Sequence, residues 1–474
     1  MRIDENRVFD EIAIGDSAEI VRICTEDDFY VFASASGNHN PMHLAGHDGD
    51  GDGMPEAVAP AMWVGSLVSA VIGNILPGAG TLYRAQSLRF QGRAHAGDEL
   101  VARVTVTDKH PPDGLVMATE VSRRSDGVTI LTGEAEVQAP ARKMRFDDLE
   151  IPGLLIEHHR HFDAIISRAE PLPPLPTAVI APEEPKSLGG ALLGARHTII
   201  APILIGDPAK IAAAAREIGA SLDGIEIVEA ADHHAAANIA VDLVTQGRAA
   251  ALMKGHLHTD VMLKAALRKE NGLRAGRRFT HVFVMDVPGV AYPLLVTDAA
   301  INIAPDLRTK MDIVQNAIDL AISIGIEAPK VGVLSAVETV NPDIPSSLDA
   351  ALLSKMAERG QITGGLVDGP LAMDNAVDIA AARTKGIKGQ VAGRAEVLVV
   401  PNIDAGNMLA KQLAYISHAE GAGVVMGARV PIILNSRSDD DKARLASCAV
   451  AALHEARLAG RLPTGELAAG RAVE

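Results

Sequence analysis

The sequence is poor in aromatic residues and in cysteine, and each shortage excludes a class of protein. Aromatic side chains make up only 3% of the 474 residues, whereas hydrophobic residues reach 48%. This balance is common in α/β enzymes and unlike that of disordered chains. The two cysteines, Cys24 and Cys448, lie far apart and form no C-x-x-C pair. The sequence therefore predicts neither a disulfide framework nor a zinc ribbon, and it favours a reducing compartment.

Long apolar runs are also missing, both at the N-terminus and elsewhere, so we predict a cytoplasmic protein without a membrane partner. The formal net charge of −16 opposes binding of nucleic acid, because the field of the chain repels polyanions. An anionic small substrate would need Arg, Lys or backbone N–H groups placed locally. The run DGDGDGMPEAVA begins like a calcium loop but has Ala59 at its twelfth position, and we predict no metal site.

The chain is long enough for more than one core, and its patterning changes along its length. Residues 1–145 contain a predicted helix, PAMWVGSLVSAVIGNIL, followed by alternating, turn-punctuated strands, which indicates an α+β unit with a helix on an antiparallel sheet. Residues 146–176 include the proline-rich AEPLPPLPTAV and are predicted to be an extended linker. Residues 177–474 alternate apolar strands with Ala-rich helices, which predicts an α/β domain of two lobes with largely parallel sheets.

Four polar junctions follow apolar runs of the α/β domain, and ligands gather where strands end and helices begin. They are ALMKGHLHTDVMLK, GGLVDGPLAMDNAVD, VLVVPNIDAGNMLAKQL and PIILNSRSDDDKARLAS. Their polar candidates are Lys254, His258, Thr259 (a predicted helix N-cap), Asp368, Asn402, Asp404, Asn407, Ser436 and Arg437. We place the main site at the fourth junction, because an Arg fork matches phosphate oxygens and Ser436 adds a hydroxyl donor. Of the aspartates 439 to 441, at most one should face a bound phosphate.

The region from about 177 to 465 resembles the phosphate acetyl/butyryltransferase family. The motifs PILIGDP, ALMKGHLHTD, THVFVMDVPG, LLVTDAAINIAPDL, KMDIVQNAIDLA, VDGPLAMDNAV, PNIDAGNMLAKQL and ILNSRSD occur in family order. Residues 8 to about 140 resemble a MaoC-like hot-dog domain of the (R)-specific enoyl-CoA hydratase type, through SGNHNPMHL, PAMWVGSLVSAVIG, LRFQGRAHAGDEL and GEAEVQAP. The pairing resembles bifunctional enoyl-CoA hydratase/phosphate acetyltransferases, and the fold of the second region also resembles that of isocitrate and isopropylmalate dehydrogenases.

The resemblance implies reversible acyl transfer: acyl-CoA plus phosphate gives acyl phosphate plus CoA. It implies a homo-oligomer and no metal or redox cofactor, with coenzyme A and acyl-CoA as substrates. Arg437 would neutralise phosphate charge and, with Ser436, stabilise the oxyanion. A general base for the CoA thiol is expected several residues after this pair; Ala443 stands seven residues after Ser436, so Asp439 or Asp441 would serve, or no dedicated base exists. The loops MKGHLHTD and NSRSD are nearer the butyryl branch, which leaves acetyl and butyryl substrates open.

The hydratase pattern reads S-G-D-x-N-P-x-H, with the Asp and His activating water together. In SGNHNPMHL, His43 matches the histidine, but Asn38 stands at the position of the aspartate. An amide orients water but accepts no proton near neutral pH. His43 alone could still act as the base, because imidazole changes charge near physiological pH. We therefore expect impaired hydration, in a domain that keeps the fold for acyl-CoA binding or structure.

Two further readings compete with an acyltransferase. One is an acyl-CoA-sensing regulatory module, like the related domains fused to malic enzymes. A sensor need not keep Ser436, Arg437, Lys254 and Asn402 together, and this chain has all four. The other is an active hydratase with an inert C-terminal half, which Asn38 disfavours.

Overall fold

The computed structural model describes residues 5–43, 57–144, 159–435 and 439–462. It divides into two compact units, Met1–Ile156 and Glu157–Glu474. Within the described residues, no helix is both long enough and apolar enough to cross a lipid bilayer.

The first unit is an antiparallel sheet with a helix on one face. Its described strands lie in the order β1-β3-β4-β5-β2, and every neighbouring pair is antiparallel. The elements are β1 (Ser17–Ile23), α1 (Glu26–Ser36), α2 (Ala61–Asn74), β2 (Leu82–Phe90), β3 (Glu99–His110), β4 (Gly114–Arg123) and β5 (Thr129–Gln138).

The core of this unit follows from the two periodicities of its sequence. Alternate residues of β3, from Leu100 to Val106, are buried, because successive side chains of a strand point to opposite faces. Helix α2 buries Trp63, Leu67 and Val71 among others, at the spacing of one helical face, and packs on β1, β3 and β4. The predicted helix on an antiparallel sheet is confirmed.

The second unit contains an eleven-stranded sheet within its described residues, in the order β13-β12-β14-β11-β10-β15-β16-β9-β6-β7-β8. The strands are β6 (Leu175–Ile180), β7 (Ile200–Gly206), β8 (Glu226–Glu229), β9 (Ala251–Lys254), β10 (Thr280–Asp286), β11 (Leu294–Thr297), β12 (Lys330–Leu334), β13 (Leu366–Leu371), β14 (Val397–Val399), β15 (Glu420–Met426) and β16 (Ile432–Ile433).

The helices of this unit are mostly short and rich in alanine. They are α3 (Arg160–Ala169), α4 (Pro185–Arg196), α5 (Pro208–Glu217), α6 (His233–Thr245), α7 (Thr259–Ala266), α8 (Leu307–Ser323), α9 (Pro345–Glu358), α10 (Met373–Val377), α11 (Ile379–Thr384), α12 (Ile403–Tyr415) and α13 (Asp441–Leu458). Every residue of α13 from Ala443 to Leu453 is buried, and this helix packs against α3, α4, α8 and β15.

Strand direction divides the large sheet into two parallel blocks. β16, β9, β6, β7 and β8 are mutually parallel, and so are β13, β12, β14 and β11. Between the blocks, β10 and β15 make antiparallel pairs on both of their sides. Three successive antiparallel pairings separate β11 from β16, so the carboxyl ends of the two blocks lie at opposite edges of the sheet. The prediction of largely parallel strands holds, and the two blocks share one sheet.

The structure differs from the predicted linker at its C-terminal half. Residues 160–169 form α3, whose Phe162, Ile165 and Ile166 are buried in the core of the second unit. Residues 175–180, which overlap the predicted proline-rich spacer, form β6 between β7 and β9. Amphipathic spacing in RHFDAIISRA gives the helix a face to bury, and burial outweighs the extended bias of the nearby prolines.

Candidate active site

Lys254 and Asn435 leave the large sheet at the same edge. β9 ends at Lys254, β16 pairs with β9 in parallel through Met253 and Ile433, and Asn435 follows two residues after Ile433. Beyond Asn435, the predicted Ser436 and Arg437 lie outside the described residues. The described chain resumes at Asp439, directly before α13.

A cavity of about 210 Å³ lies at this edge. We call it the cationic cavity, because two lysines and an arginine line it with a single carboxylate; it is lined by Glu184, Lys186, Ser187, Lys254, Gly255, His256, Asn435 and Arg444. His256 Nε2 lies 2.7 Å from Glu184 Oε1. Arg444 Nε donates to the backbone carbonyl of Asp439 at 3.2 Å, which ties the first turn of α13 to its preceding segment. The excess of positive charge suits a small anion.

Two features of this cavity concern the backbone at Gly255 and the side-chain amide of Asn435. A Cβ on Gly255 would lie 2.3 Å from the carbonyl oxygen of Ile180, so only glycine lets the loop after β9 approach β6 this closely. Asn435 is only 5% exposed, and neither its amide oxygen nor its amide nitrogen has a hydrogen-bond partner among the described residues. A buried amide without partners costs about 1–3 kcal/mol, and a polar ligand in the cavity would remove that cost.

A second cavity, of about 340 Å³, lies beside the start of α13. We call it the apolar-walled cavity, because most of the residues in its wall are apolar. It is lined by Phe283, Met285, Asn407, Ala410, Lys411, Ala414, Tyr415, Ala419, Glu420, Gly421, Asp439, Asp440 and Ala443. Asp440 caps α13 by accepting from the backbone N–H of Ala443 at 2.8 Å. An apolar pocket with a few polar groups is the usual form of a small-molecule site.

Glu420 is a carboxyl group of this wall whose pKa is strongly perturbed. Burial raises the pKa of Glu420 to about 7, against a lowering effect from Lys442. The nearby carboxylates Asp440, Asp286 and Asp163 contribute to this rise, since like charges disfavour ionisation. A carboxyl group that titrates near neutrality can both accept and release a proton at the pH of a cell.

The structure brings some of the predicted residues together at these cavities. Lys254 lines the cationic cavity, and Asn407 and Asp439 line the apolar-walled one. Asp441 is the first residue of α13 and is exposed. Asp440 caps the helix and also lines the apolar-walled cavity, beside Asp439. The expectation that at most one of the three aspartates faces a bound phosphate stays a prediction, as do the roles of Asp439 and Asp441.

Other predicted residues lie elsewhere. His258, and not Thr259, is the N-cap of α7, and neither residue lines either cavity. Asn402 caps α12 by accepting from the N–H of Ala405 at 3.0 Å, and Asp404 lies in the first turn of the same helix. Both follow β14, whose carboxyl end lies at the opposite sheet edge from Lys254.

Asp368 lies within β13, in the same parallel block as β14, and its carboxylate accepts from the N–H of Gly369 at 2.9 Å. This strand is therefore also remote from the β9 and β16 ends along the sheet order. The assignment of Asp368, Asn402 and Asp404 to substrate binding stays a prediction.

Sequence reasoning did not select Asn435, Arg444 or Glu420 as site residues. Arg444 lies inside an Ala-rich helix. The sequence pattern does not indicate that its side chain reaches back to the segment before that helix. Glu420 opens β15, a strand that the glycines of EGAGVVM concealed. A Cβ on Gly423 would lie 2.5 Å from the carbonyl oxygen of Leu434, so these glycines mark close strand packing.

The first unit holds a cavity of about 670 Å³ that is lined by Asn38 and His43. We call it the N-terminal cavity; the rest of its wall is mostly apolar and includes Phe32, Met42, Val58, Met62, Val64, Phe90 and Ile130, with Gln91 and Arg93 as polar members. Gly37, in the left-handed region at φ 73°, ends α1 and starts the loop that carries both predicted residues. The side-chain oxygen of Asn38 accepts from the N–H of Asn40 at 3.3 Å.

His43 is buried, and its Nδ1 lies 2.7 Å from the carbonyl oxygen of Val58. Because a carbonyl only accepts, Nδ1 carries the ring proton and the neutral ring keeps the lone pair on Nε2. The loop therefore holds one imidazole in the tautomer that a base requires, beside an amide that cannot take a proton.

Comparison with known proteins finds a matching family model in each of the two units. Residues 233–452 match the family model for phosphate acetyl/butaryl transferase, and residues 13–126 match the model for a MaoC like domain. The second unit has a phosphotransacylase fold: a branched-chain phosphotransacylase from Enterococcus faecalis V583 is 32% identical with a TM-score of 0.53, over 59% of this chain and 99% of that one. The first unit is a MaoC-like hot-dog domain.

Curated relatives match the C-terminal part of the chain over nearly their whole length. A phosphate acetyltransferase of Rhizobium meliloti is 55% identical over 296 residues, which cover 62% of this chain and 94% of the relative. A phosphate butyryltransferase of Clostridium acetobutylicum is 40% identical over 294 residues, which cover 62% of this chain and 98% of the relative. The chain belongs to the phosphate acetyl/butyryltransferase family.

Proposed function

We propose that the second unit transfers a short acyl group between coenzyme A and inorganic phosphate. The observation that carries this proposal is the 55% identity to a phosphate acetyltransferase that the chain covers almost completely. The paired cavities beside the start of α13 support it, because a small cationic cavity suits phosphate and an apolar-walled one suits an acyl chain.

The proposed reaction joins two reactants that need little activation beyond placement. A phosphate oxygen attacks the thioester carbonyl, the C–S bond breaks, and CoA leaves as acyl phosphate forms. Lys254 and Arg444 hold phosphate in the cationic cavity, and the amide of Asn435 gains the hydrogen bonds that it lacks among the described residues. Holding both reactants in one geometry supplies much of the rate, and positive charge near the carbonyl stabilises the oxyanion.

Ser436 and Arg437 complete the proposed site. They follow Asn435 in sequence, and we assign Arg437 to the phosphate and carbonyl oxygens, with Ser436 as a hydroxyl donor. Asp368, Asn402, Asp404, His258 and Thr259 remain candidates for contacts with the rest of coenzyme A. From what is typical of the family, we also infer a homo-oligomer and a cytoplasmic location. We infer as well that the fold is related to that of isocitrate and isopropylmalate dehydrogenases.

The apolar-walled cavity sets the acyl length in this proposal. Phe283 and Met285 from β10 and Ala410 and Ala414 from α12 form a wall without charge, and the cavity volume is about 340 Å³. Its test is an assay of the full chain with acetyl-, propionyl- and butyryl-CoA, in which acyl phosphate is trapped as a hydroxamate. Phosphate-dependent product from at least one of the three supports the proposal, and none from any of them contradicts it.

A second function is proposed for the first unit, on the strength of its cavity and the fixed tautomer of His43. The unit binds an acyl-CoA, and Asn38 leaves hydration impaired because the amide takes no proton. Crotonyl-CoA binding by the full chain, without turnover comparable to its phosphotransacylase rate, is the expected result. Rapid hydration by the unaltered chain would overturn the impairment.

A further inference from the structure

We propose that Glu420 is the general base that takes the proton of the CoA thiol when acyl phosphate is converted into acyl-CoA. This assignment rests on the proposed function. The Glu420 carboxylate accepts the S–H proton, the sulfur attacks the acyl carbon, a C–S bond forms, and the C–O bond to phosphate breaks. In the opposite direction, the protonated carboxyl group returns the proton to the departing thiolate.

The position of Glu420 supports this role. It is the first residue of β15 and lines the apolar-walled cavity together with Asp439 and Ala443. β15 is antiparallel to β16, so its first residue lies at the sheet edge where β16 ends and α13 begins. Glu420 therefore lies beside β16, the strand that leads to the cationic cavity. It also lines the apolar-walled cavity, which we assign to the acyl group.

Its surroundings supply few hydrogen bonds to the ionised carboxyl group. The side chain is 18% exposed, and among the described residues Oε2 is buried without a hydrogen-bond partner. His159 Nδ1 lies 3.5 Å from Oε1, but Nε2 of that ring faces the carbonyl oxygen of His418 at 2.9 Å and so carries the ring proton. A neutral His159 thus has no proton on Nδ1 to stabilise the carboxylate.

Burial is the main cause that raises the pKa of Glu420 to about 7, and the charged groups around it act in both directions. Its cross-strand partner Asp286 is fully buried, and Lys442 supplies the opposing positive charge. Among the described residues, the titratable and charged groups that act on Glu420 or contact it are His159, Asp163, Asp286, Asp440 and Lys442. Lys411, Tyr415 and Asp439 line the same cavity.

The other carboxylates at the start of α13 are less suited to the role. Asp440 is engaged in capping the helix, and Asp441 is exposed at its first turn. Asp439 remains in the cavity wall and is the alternative to test. Ala443, also in the wall, has no ionisable group.

The test is the pH dependence of kcat for acyl phosphate plus CoA, measured with the full chain from about pH 6 to pH 9. The wild type should gain rate through a pH of about 7 and then level off, as Glu420 loses its proton. Glu420→Gln should lose about 100-fold in kcat at neutral pH, with KM for CoA nearly unchanged. Its deficit should shrink as pH rises, because a thiol with a pKa of about 8.5 then ionises without help.

Further variants separate a catalytic role from a structural one. Glu420→Asp should keep part of the rate and a pH-dependent limb, and Glu217→Gln, at an exposed residue of α5, should match the wild type. A deficit of constant size from pH 6 to pH 9, or its appearance in Asp439→Asn in place of Glu420→Gln, overturns the assignment. An active wild type with an unaffected Glu420→Gln overturns only the assignment, whereas an inactive wild type overturns the proposed function with it.

Discussion

Met253 and Ile433 are register partners on adjacent parallel strands, so Lys254 and the segment that begins at Leu434 leave the sheet at one edge. This relationship places a lysine from one junction beside the chain that leads to another. Residues more than 180 positions apart in the sequence, Lys254 and Asn435, thereby line one cavity. The charge of that cavity follows from strand order rather than from any local motif.

Removal of the Lys254 charge should selectively weaken the use of phosphate as a substrate. We expect Lys254→Met to lower kcat/KM for phosphate by about 10- to 100-fold, because a charge-assisted hydrogen bond contributes about 1.5–3 kcal/mol. The KM for acyl-CoA should change little. Initial rates over a phosphate series measure both constants, and Lys264→Met, at a side chain that is 75% exposed, is the matched control. An unchanged phosphate dependence would remove Lys254 from the site.

A larger side chain in the apolar-walled cavity should shorten the acyl group that fits. Ala414→Leu should lower kcat/KM for butyryl-CoA about tenfold more than that for acetyl-CoA, because each methylene in such a pocket contributes about 1–3 kcal/mol. Leucine is a good helix former, so α12 should persist. The same substitution at Ala213, on the exposed face of α5, should leave the ratio unchanged. Equal losses for both substrates would place the acyl chain elsewhere.

A carboxylate at position 38 should restore hydration in the first unit. Asn38→Asp should raise the rate of crotonyl-CoA hydration, because the new side chain can take a proton beside His43 in the N-terminal cavity. Loss of crotonyl-CoA absorbance measures the rate. Asn40→Asp, on the same loop but outside the cavity wall, is the control and should show no gain. If Asn38→Asp also shows no gain, other parts of the hydratase site are missing too.

Acid should destabilise the second unit through buried histidines. Burial lowers the pKa of His454 to about 4, and its Nδ1 lies 2.9 Å from Ser323 Oγ. Because the folded pKa lies below the unfolded value near 6.5, this stability is present above pH 6.5 and is lost as the pH falls toward 4. The loss amounts to about 3 kcal/mol.

Chemical denaturation at a series of pH values measures this dependence. His454→Gln should flatten the fall in the free energy of unfolding between pH 6.5 and 4, although His281, whose pKa is also lowered to about 4 by burial, keeps part of it. His234→Gln, at an exposed position of α6, should leave the slope as it is. A slope that is the same in His454→Gln and the wild type would exclude this contribution.

Strong patterns in the sequence predicted much of the fold. The helix on an antiparallel sheet and the alternation of strands and helices both follow from hydrophobic periodicity. Three strands of the second unit were not predicted, and each has a local reason: prolines precede and interrupt β6, Asp-Gly-Pro lies in β13, and β15 contains Gly421 and Gly423. In each case tertiary pairing overrides a weak strand propensity.

The site was less predictable, because strand direction decides which junctions meet. Lys254 and the chain around Asn435 share an edge, whereas Asn402 follows a strand of the opposite block. No local pattern reveals that β10 and β15 reverse the direction between the blocks. Glu420 was not predicted either, because its perturbed pKa arises from burial beside Asp286. Only the fold brings these two residues together.

The most direct test of the account is phosphate-dependent CoA release from short-chain acyl-CoA by the full chain, with Arg437→Ala measured beside the wild type. The account predicts release in the wild type that rises with phosphate, a loss of about 100-fold or more in Arg437→Ala, and no loss in Arg429→Ala, an exposed arginine before β16. A wild type that releases no CoA on addition of phosphate, or an Arg437→Ala variant that matches it, would contradict the account.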